Sequence, residues 1–117
     1  PVLTNRAKVE LQGITLETAS ILAEAGVRFA IMTDHPVVPI QYLVISAALA
    51  VKGGLPVEHA LRAVTIDAAV ILGLEKRLGS LEPGKDADLV VWSGNPLDIS
   101  SRVEQVFIGG VKVFPFS

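Results

Sequence analysis

Thr33-Asp34-His35 places a carboxylate and an imidazole directly after an apolar run, Val27-Arg28-Phe29-Ala30-Ile31-Met32, and directly before Pro36. A lone carboxylate can ligate a hard or borderline metal ion, and it can take a proton from an activated water. The competing reading is that Asp34 caps a following helix or accepts a loop N–H. His35 could hydrogen-bond a substrate or brace a neighbouring group. Equally, it could be a polar residue at the start of a loop. His59 stands on a helical stretch beside Glu58 and Arg62 and reads as surface. Arg6 and Lys8 could face a substrate anion, although solvated loop charges account for them as well. No H-x-H, H-E-x-x-H or C-x-x-C occurs, so the chain alone holds no complete metal site.

The elements around Asp34 would give it a defined position. Val27–Met32 is rich in β-branched and aromatic residues and predicts a buried strand. Pro36 cannot continue a ladder and disfavours helix at His35, so the strand should stop there. A charged group at the carboxyl end of a buried strand is where α/β proteins place chemistry. Upstream, Pro1–Thr4 reads as the end of another strand and Asn5–Gly13 as a loop. Thr15 suits an N-cap, with Leu16, Ala19, Leu22 and Ala23 on one apolar face and Gly26 as the closing residue. Strand, helix, tight turn and strand make a βαβ unit and imply a parallel sheet.

Downstream, Ile40–Lys52 predicts an apolar helix stopped by Gly53-Gly54. Pro56 opens another helix, with Val57, Ala60, Leu61 and Val64 on one face. Thr65 suits an N-cap and Gly73 a helix end. After Leu74 the texture changes. Gly79–Asp86 is turn chemistry without the spacing of a phosphate loop. Asp88–Trp92, Val103–Ile108 and Val111–Phe114 predict strands, with Gly109-Gly110 as a hairpin turn. Trp92 and the apolar residues of this tail read as core.

Composition removes several function classes. The 117 residues are 50% hydrophobic and 19% charged, enough apolar content for a sizeable core. Ten basic and twelve acidic residues leave a formal charge of −2, with no electrostatic case for nucleic acid or an anionic membrane. No cysteine is present, which excludes disulfides and zinc-thiolate sites. The uncharged run Pro36–Val51 is shorter than the roughly 18 apolar residues a bilayer span needs. The start at Pro1, without Met or a leader, is read as a piece of something longer and as cytoplasmic.

Two runs carry a family resemblance. Ala68-Ala69-Val70-Ile71-Leu72-Gly73-Leu74, then Gly79-Ser80-Leu81-Glu82-Pro83-Gly84-Lys85-Asp86-Ala87-Asp88-Leu89-Val90-Val91-Trp92, closely resembles the C-terminal region of the amidohydrolase superfamily, in the style of imidazolonepropionase-like and dihydroorotase-like members. Val106–Val113 resembles the family's last hairpin, and Leu22–Val27 followed by Thr33-Asp34 its final barrel repeat.

The resemblance implies an α/β architecture: the last repeats of a (β/α)8 barrel over 1–74, then strands of a small β-sandwich over 75–117, together an incomplete fragment. Pro1–Thr4 would end strand seven, and Val27–Met32 would be strand eight. Asp34 would match the family's strand-eight aspartate, which contacts the metal and shuttles the proton. The implied reaction is hydrolysis of a C–N bond in an amide, cyclic amide or amidine by metal-activated water. The implied cofactor is a divalent metal, zinc, as one or two ions in the complete enzyme. The substrate would be a small molecule. The family's remaining ligands, an H-x-H pair and further histidines, have no counterpart here. The alternative expectation is a non-catalytic folded piece that self-associates or needs a partner chain, because open strand edges and apolar faces would be exposed.

Overall fold

The computed structural model describes residues 17–115, so the expectations for Pro1–Thr4, Arg6, Lys8 and Thr15 lie outside the described residues. Among the described residues, four helices come first. α1 is Thr18–Glu24, α2 is Leu43–Lys52, α3 is Val57–Ala63 and α4 is Ile66–Leu72. A short 3-10 turn, Ile40–Tyr42, leads into α2. Three strands follow: β1 Leu89–Trp92, β2 Val103–Ile108 and β3 Val111–Phe114.

The helices end where backbone chemistry ends them. After α2, the Gly54 N–H donates to the Val51 carbonyl and the Leu55 N–H to the Ala50 carbonyl. This crossed pair needs its penultimate residue in the left-handed region, and Gly54 supplies it at φ 115°. The closure turns the chain inward, so Leu55 is the largest fully buried side chain. Burial of that side chain is worth roughly 1.5–3 kcal/mol. α1 and α4 close with the same crossed pairs, at Gly26 and Gly73.

The helical core is small. Ala47, Leu55 and Ala60 form its centre, with Ala19, Ala23, Phe29, Ile31 and Val64 packed around it. α2 packs against α1 and α3, and α3 against α4. Of the predicted face of α1, Ala19 and Ala23 reach this centre, and Leu16 lies outside the described residues.

Val27–Met32 forms no strand, and no parallel sheet occurs among the described residues. A strand is defined by its ladder, and among the described residues no neighbouring strand lies beside this segment. It is tethered instead to a helix end, where the Ile31 N–H donates to the carbonyl of Ala63, the last residue of α3. That bond satisfies one of the carbonyls a helix terminus leaves open.

The strands pair antiparallel in the order β1-β2-β3, with Leu89 opposite Phe107 and Ile108 opposite Val111. Gly109-Gly110 makes the hairpin turn, both residues at positive φ. The Asp88 carboxylate accepts from the Gly109 N–H at 2.8 Å, and the Ala87 carbonyl accepts from the Gly110 N–H at 3.0 Å. The expectation that the tail's apolar residues are core is not met. Val90, Val91, Ile108 and Val111 are exposed, and Trp92 is half-buried. Three strands present two faces, and among the described residues neither is layered by another sheet.

The run from Gly79 to Asp88 joins the helices to the sheet. The Arg77 guanidinium pairs with Asp86 at 2.9 Å, and the Asp86 N–H donates to the Arg77 carbonyl. Lys85, with a side chain only 11% exposed, donates to Ser80 Oγ at 2.7 Å and pairs with Glu82 at 3.1 Å. The Ser80 hydroxyl also donates to Glu82. These bonds account for the polar residues of the run and confirm it as a structural turn.

Candidate active site

The segment 27–33 leads into a turn over residues 34–37. Thr33 is the buried polar residue before it, 4% exposed. Its carbonyl accepts from the Val38 N–H at 3.3 Å, and the Asp34 carbonyl accepts from the Val37 N–H at 2.9 Å. Asp34 itself has φ 54°, the left-handed region, and is the one non-glycine residue there among those described. That conformation costs an L-residue roughly 1–2 kcal/mol, less for Asp and Asn than for others. Such backbone strain gathers at functional positions, where the surrounding structure holds it. Asp34 is half-buried at this corner.

His35 is exposed, and its role is local. Nδ1 accepts a hydrogen bond from the Ile40 N–H at 3.0 Å. The imidazole thus caps the turn that starts the 3-10 helix, and Nε2 is the nitrogen left to meet a ligand. The sequence does not reveal this bond, because donor and acceptor are five residues apart and joined only by the turn.

His59 does not approach this corner. It is exposed and lines a cavity of about 330 Å³ with Val27, Arg28, Phe29, Arg62 and Asp67. That cavity sits at the other end of segment 27–33 from Asp34. There Arg62 Nη2 donates to Asp67 Oδ1 at 3.1 Å, and Arg28 Nε lies 3.6 Å from the same oxygen. Sequence reasoning missed this grouping. Its members come from the segment start, α3 and α4, and nothing in their spacing links them.

Thr65 occupies the N-cap position of α4 without a side-chain cap. Its hydroxyl donates backward to the Leu61 carbonyl at 2.6 Å. Backward bonding of this kind competes with capping.

Asp34 brings a hard oxygen donor, which suits a divalent cation, but it brings only one. Among the described residues no three His, Cys, Asp or Glu side chains are grouped to hold a metal ion. The described residues therefore do not by themselves fit a metal. No described helix is long and apolar enough to cross a membrane.

Comparison with known proteins gives a consistent result. The model of a family described as "Amidohydrolase family" matches residues 5–113. An amidohydrolase, tasK, from Hapsidospora irregularis is 37% identical over 100 residues, covering 86% of this chain and 10% of the relative. An imidazolonepropionase from Thermoplasma volcanium is 36% identical over 106 residues, covering 82% of this chain and 26% of the relative. The crystal structure of an amidohydrolase from Thermotoga maritima superposes with a TM-score of 0.82 at 53% identity, over 86% of this chain and 26% of that one. The chain thus spans about a quarter or less of the length of these relatives.

Proposed function

The chain belongs to the amidohydrolase family, and from that premise we propose that it forms the C-terminal part of a metal-dependent hydrolase. Its reaction would be hydrolysis of a C–N bond in a small molecule, a non-peptide amide, cyclic amide or amidine. The observation that carries the reading is Asp34, held at φ 54° at the corner after the buried Thr33. Residues 1–74 would complete the last repeats of a (β/α)8 barrel, with 27–32 pairing as its eighth strand once neighbouring strands are present. Residues 75–117 would supply the C-terminal part of a sandwich domain.

In this reading Asp34 carries the proton. Its carboxylate accepts one from the attacking water and delivers it to the leaving nitrogen, which must be protonated to depart. The same carboxylate would offer one oxygen ligand to a divalent metal, zinc in our reading, whose other donors would come from polypeptide outside this chain. The metal, when bound, supplies Lewis-acid activation. His35 would offer Nε2 to the substrate, since Nδ1 is committed to Ile40.

The test is Asp34→Asn in the full-length enzyme. Asparagine tolerates the left-handed backbone, so the fold is retained while the proton acceptor is lost. We expect kcat to fall at least about 100-fold, within the range for general acid–base groups. The urea midpoint should be unchanged. Near-normal turnover would remove Asp34 from the mechanism.

A specific observation also favours the reading that the isolated chain is non-catalytic and self-associating. Among the described residues, four of the five buried apolar ones are alanines, while Leu72 is 71% exposed and Ile40 61%. Apolar surface of this kind is covered in a finished protein. The 117-residue chain alone should therefore form dimers or larger species by light scattering and show no turnover. A stable monomer would overturn this.

A further inference from the structure

The cavity at the far end of segment 27–33 is unused by the proposed reaction, and its charge is unbalanced. Two guanidinium groups, Arg28 and Arg62, converge on a single oxygen of Asp67. Each guanidinium carries five N–H donors, so one shared carboxylate oxygen engages few of them. One negative charge against two positive charges leaves a net +1 at the cavity wall. The ring of His59 adds a further nitrogen, and Val27 and Phe29 form apolar lining that limits screening on that side.

We propose that this cavity binds a small oxyanion of the phosphate class. Its volume of about 330 Å³ accommodates a tetrahedral oxyanion with water. Planar guanidinium groups match such an anion by paired donors. The end of α1 adjoins the cavity through Ala23 and Gly26, and open helix carbonyls would repel an anion. Here the carbonyls of Leu22 and Ala23 already accept the N–H groups of Val27 and Gly26, which blunts that repulsion. Asp67 is the intrinsic competitor for the two arginines. Both arginine side chains are about half exposed, 54% each, so water weakens each contact. The dissociation constant should be on the order of 1 mM, as expected from about two charge-assisted hydrogen bonds.

This inference does not depend on the hydrolase reading and is tested apart from it. Inorganic phosphate is titrated into the full-length protein by isothermal calorimetry, against sodium chloride at matched ionic strength. Arg62→Gln should weaken phosphate binding about tenfold or more. Asp67→Asn should tighten it several-fold, because the internal competitor for the arginines is gone. Opposite signs are the signature, since a merely structural ion pair would respond to both changes in the same direction. Arg28→Gln serves as a second loss variant if Arg62→Gln fails to fold. No binding by wild type beyond the chloride control, or weakening in both the arginine and the Asp67 variants, would overturn the proposal.

Discussion

Gly79 and Gly84 have almost the same backbone and opposite surroundings, which makes them a matched pair. Their φ angles are 98° and 91°. A Cβ at Gly84 would meet nothing within 4 Å. A Cβ at Gly79 would stand 2.9 Å from the Ile66 Cα and 2.9 Å from the Ala69 Cβ. The contact with Ile66 is to backbone, so rotating a side chain cannot relieve it. Placing alanine at such φ costs roughly 1–2 kcal/mol, partly offset by about 0.4–1 kcal/mol from stiffening the unfolded chain. Gly84→Ala should therefore destabilise by about 1 kcal/mol or less. Gly79→Ala adds overpacking against α4, roughly 1–3 kcal/mol, for a total of about 1–4 kcal/mol. With a urea slope of about 1–3 kcal/mol per M, the two midpoints should differ by on the order of 1 M. The assay is urea unfolding of the full-length protein and both variants, followed by far-ultraviolet circular dichroism. Equal shifts for the two variants would refute the close approach of Gly79 to α4, and with it the seam between helices and sheet.

Two further predictions concern single polar contacts. The Glu82 carboxyl is held below its ordinary 4.5, first by the Ser80 hydroxyl that donates to it and then by Lys85. A lowered folded pKa stabilises at pH above 4.5 and loses that contribution as pH falls through the folded value; the wild-type advantage over Glu82→Gln in urea midpoint should be present at neutral pH and fade in acid, and an advantage that grows in acid would contradict the Ser80-Glu82-Lys85 assignment. His35→Ala should cost about 1 kcal/mol by leaving the Ile40 N–H without its acceptor. It should also raise KM several-fold with kcat little changed, whereas an unaltered KM would leave His35 as a capping residue alone.

Elements whose cause is local could be read from the chain. Gly26 and Gly73 end helices because only a residue at ease with positive φ permits the crossed pairs there. Gly109-Gly110 makes the hairpin for the same reason, with β2 and β3 meeting it on either side. Readings that depended on distant partners failed. Val27–Met32 has a strand's composition, but its ladder neighbours are not among the described residues, and the Ile31 N–H bonds a helix end. Val90 and Val111 suit a core, but among the described residues no second sheet is layered on the three strands. The Asp34 corner was half legible. Composition and Pro36 located it, whereas the left-handed backbone and the His35 cap required coordinates.

The two ends of segment 27–33 differ in chemistry. One end presents the Asp34 carboxylate at a strained corner. The other presents two arginines on one aspartate oxygen beside a cavity. At full extension a segment of this length separates its ends by roughly 20 Å. At that distance screening at physiological salt largely uncouples exposed charges, since the Debye length is about 8 Å. Changes at Arg62 or Asp67 should therefore not act on the proposed reaction through direct electrostatics. Any influence of the cavity on the proposed reaction would have to travel through the backbone of the segment itself. The Ile31 N–H bond to Ala63 is one direct tie between that backbone and α3, the helix that carries Arg62.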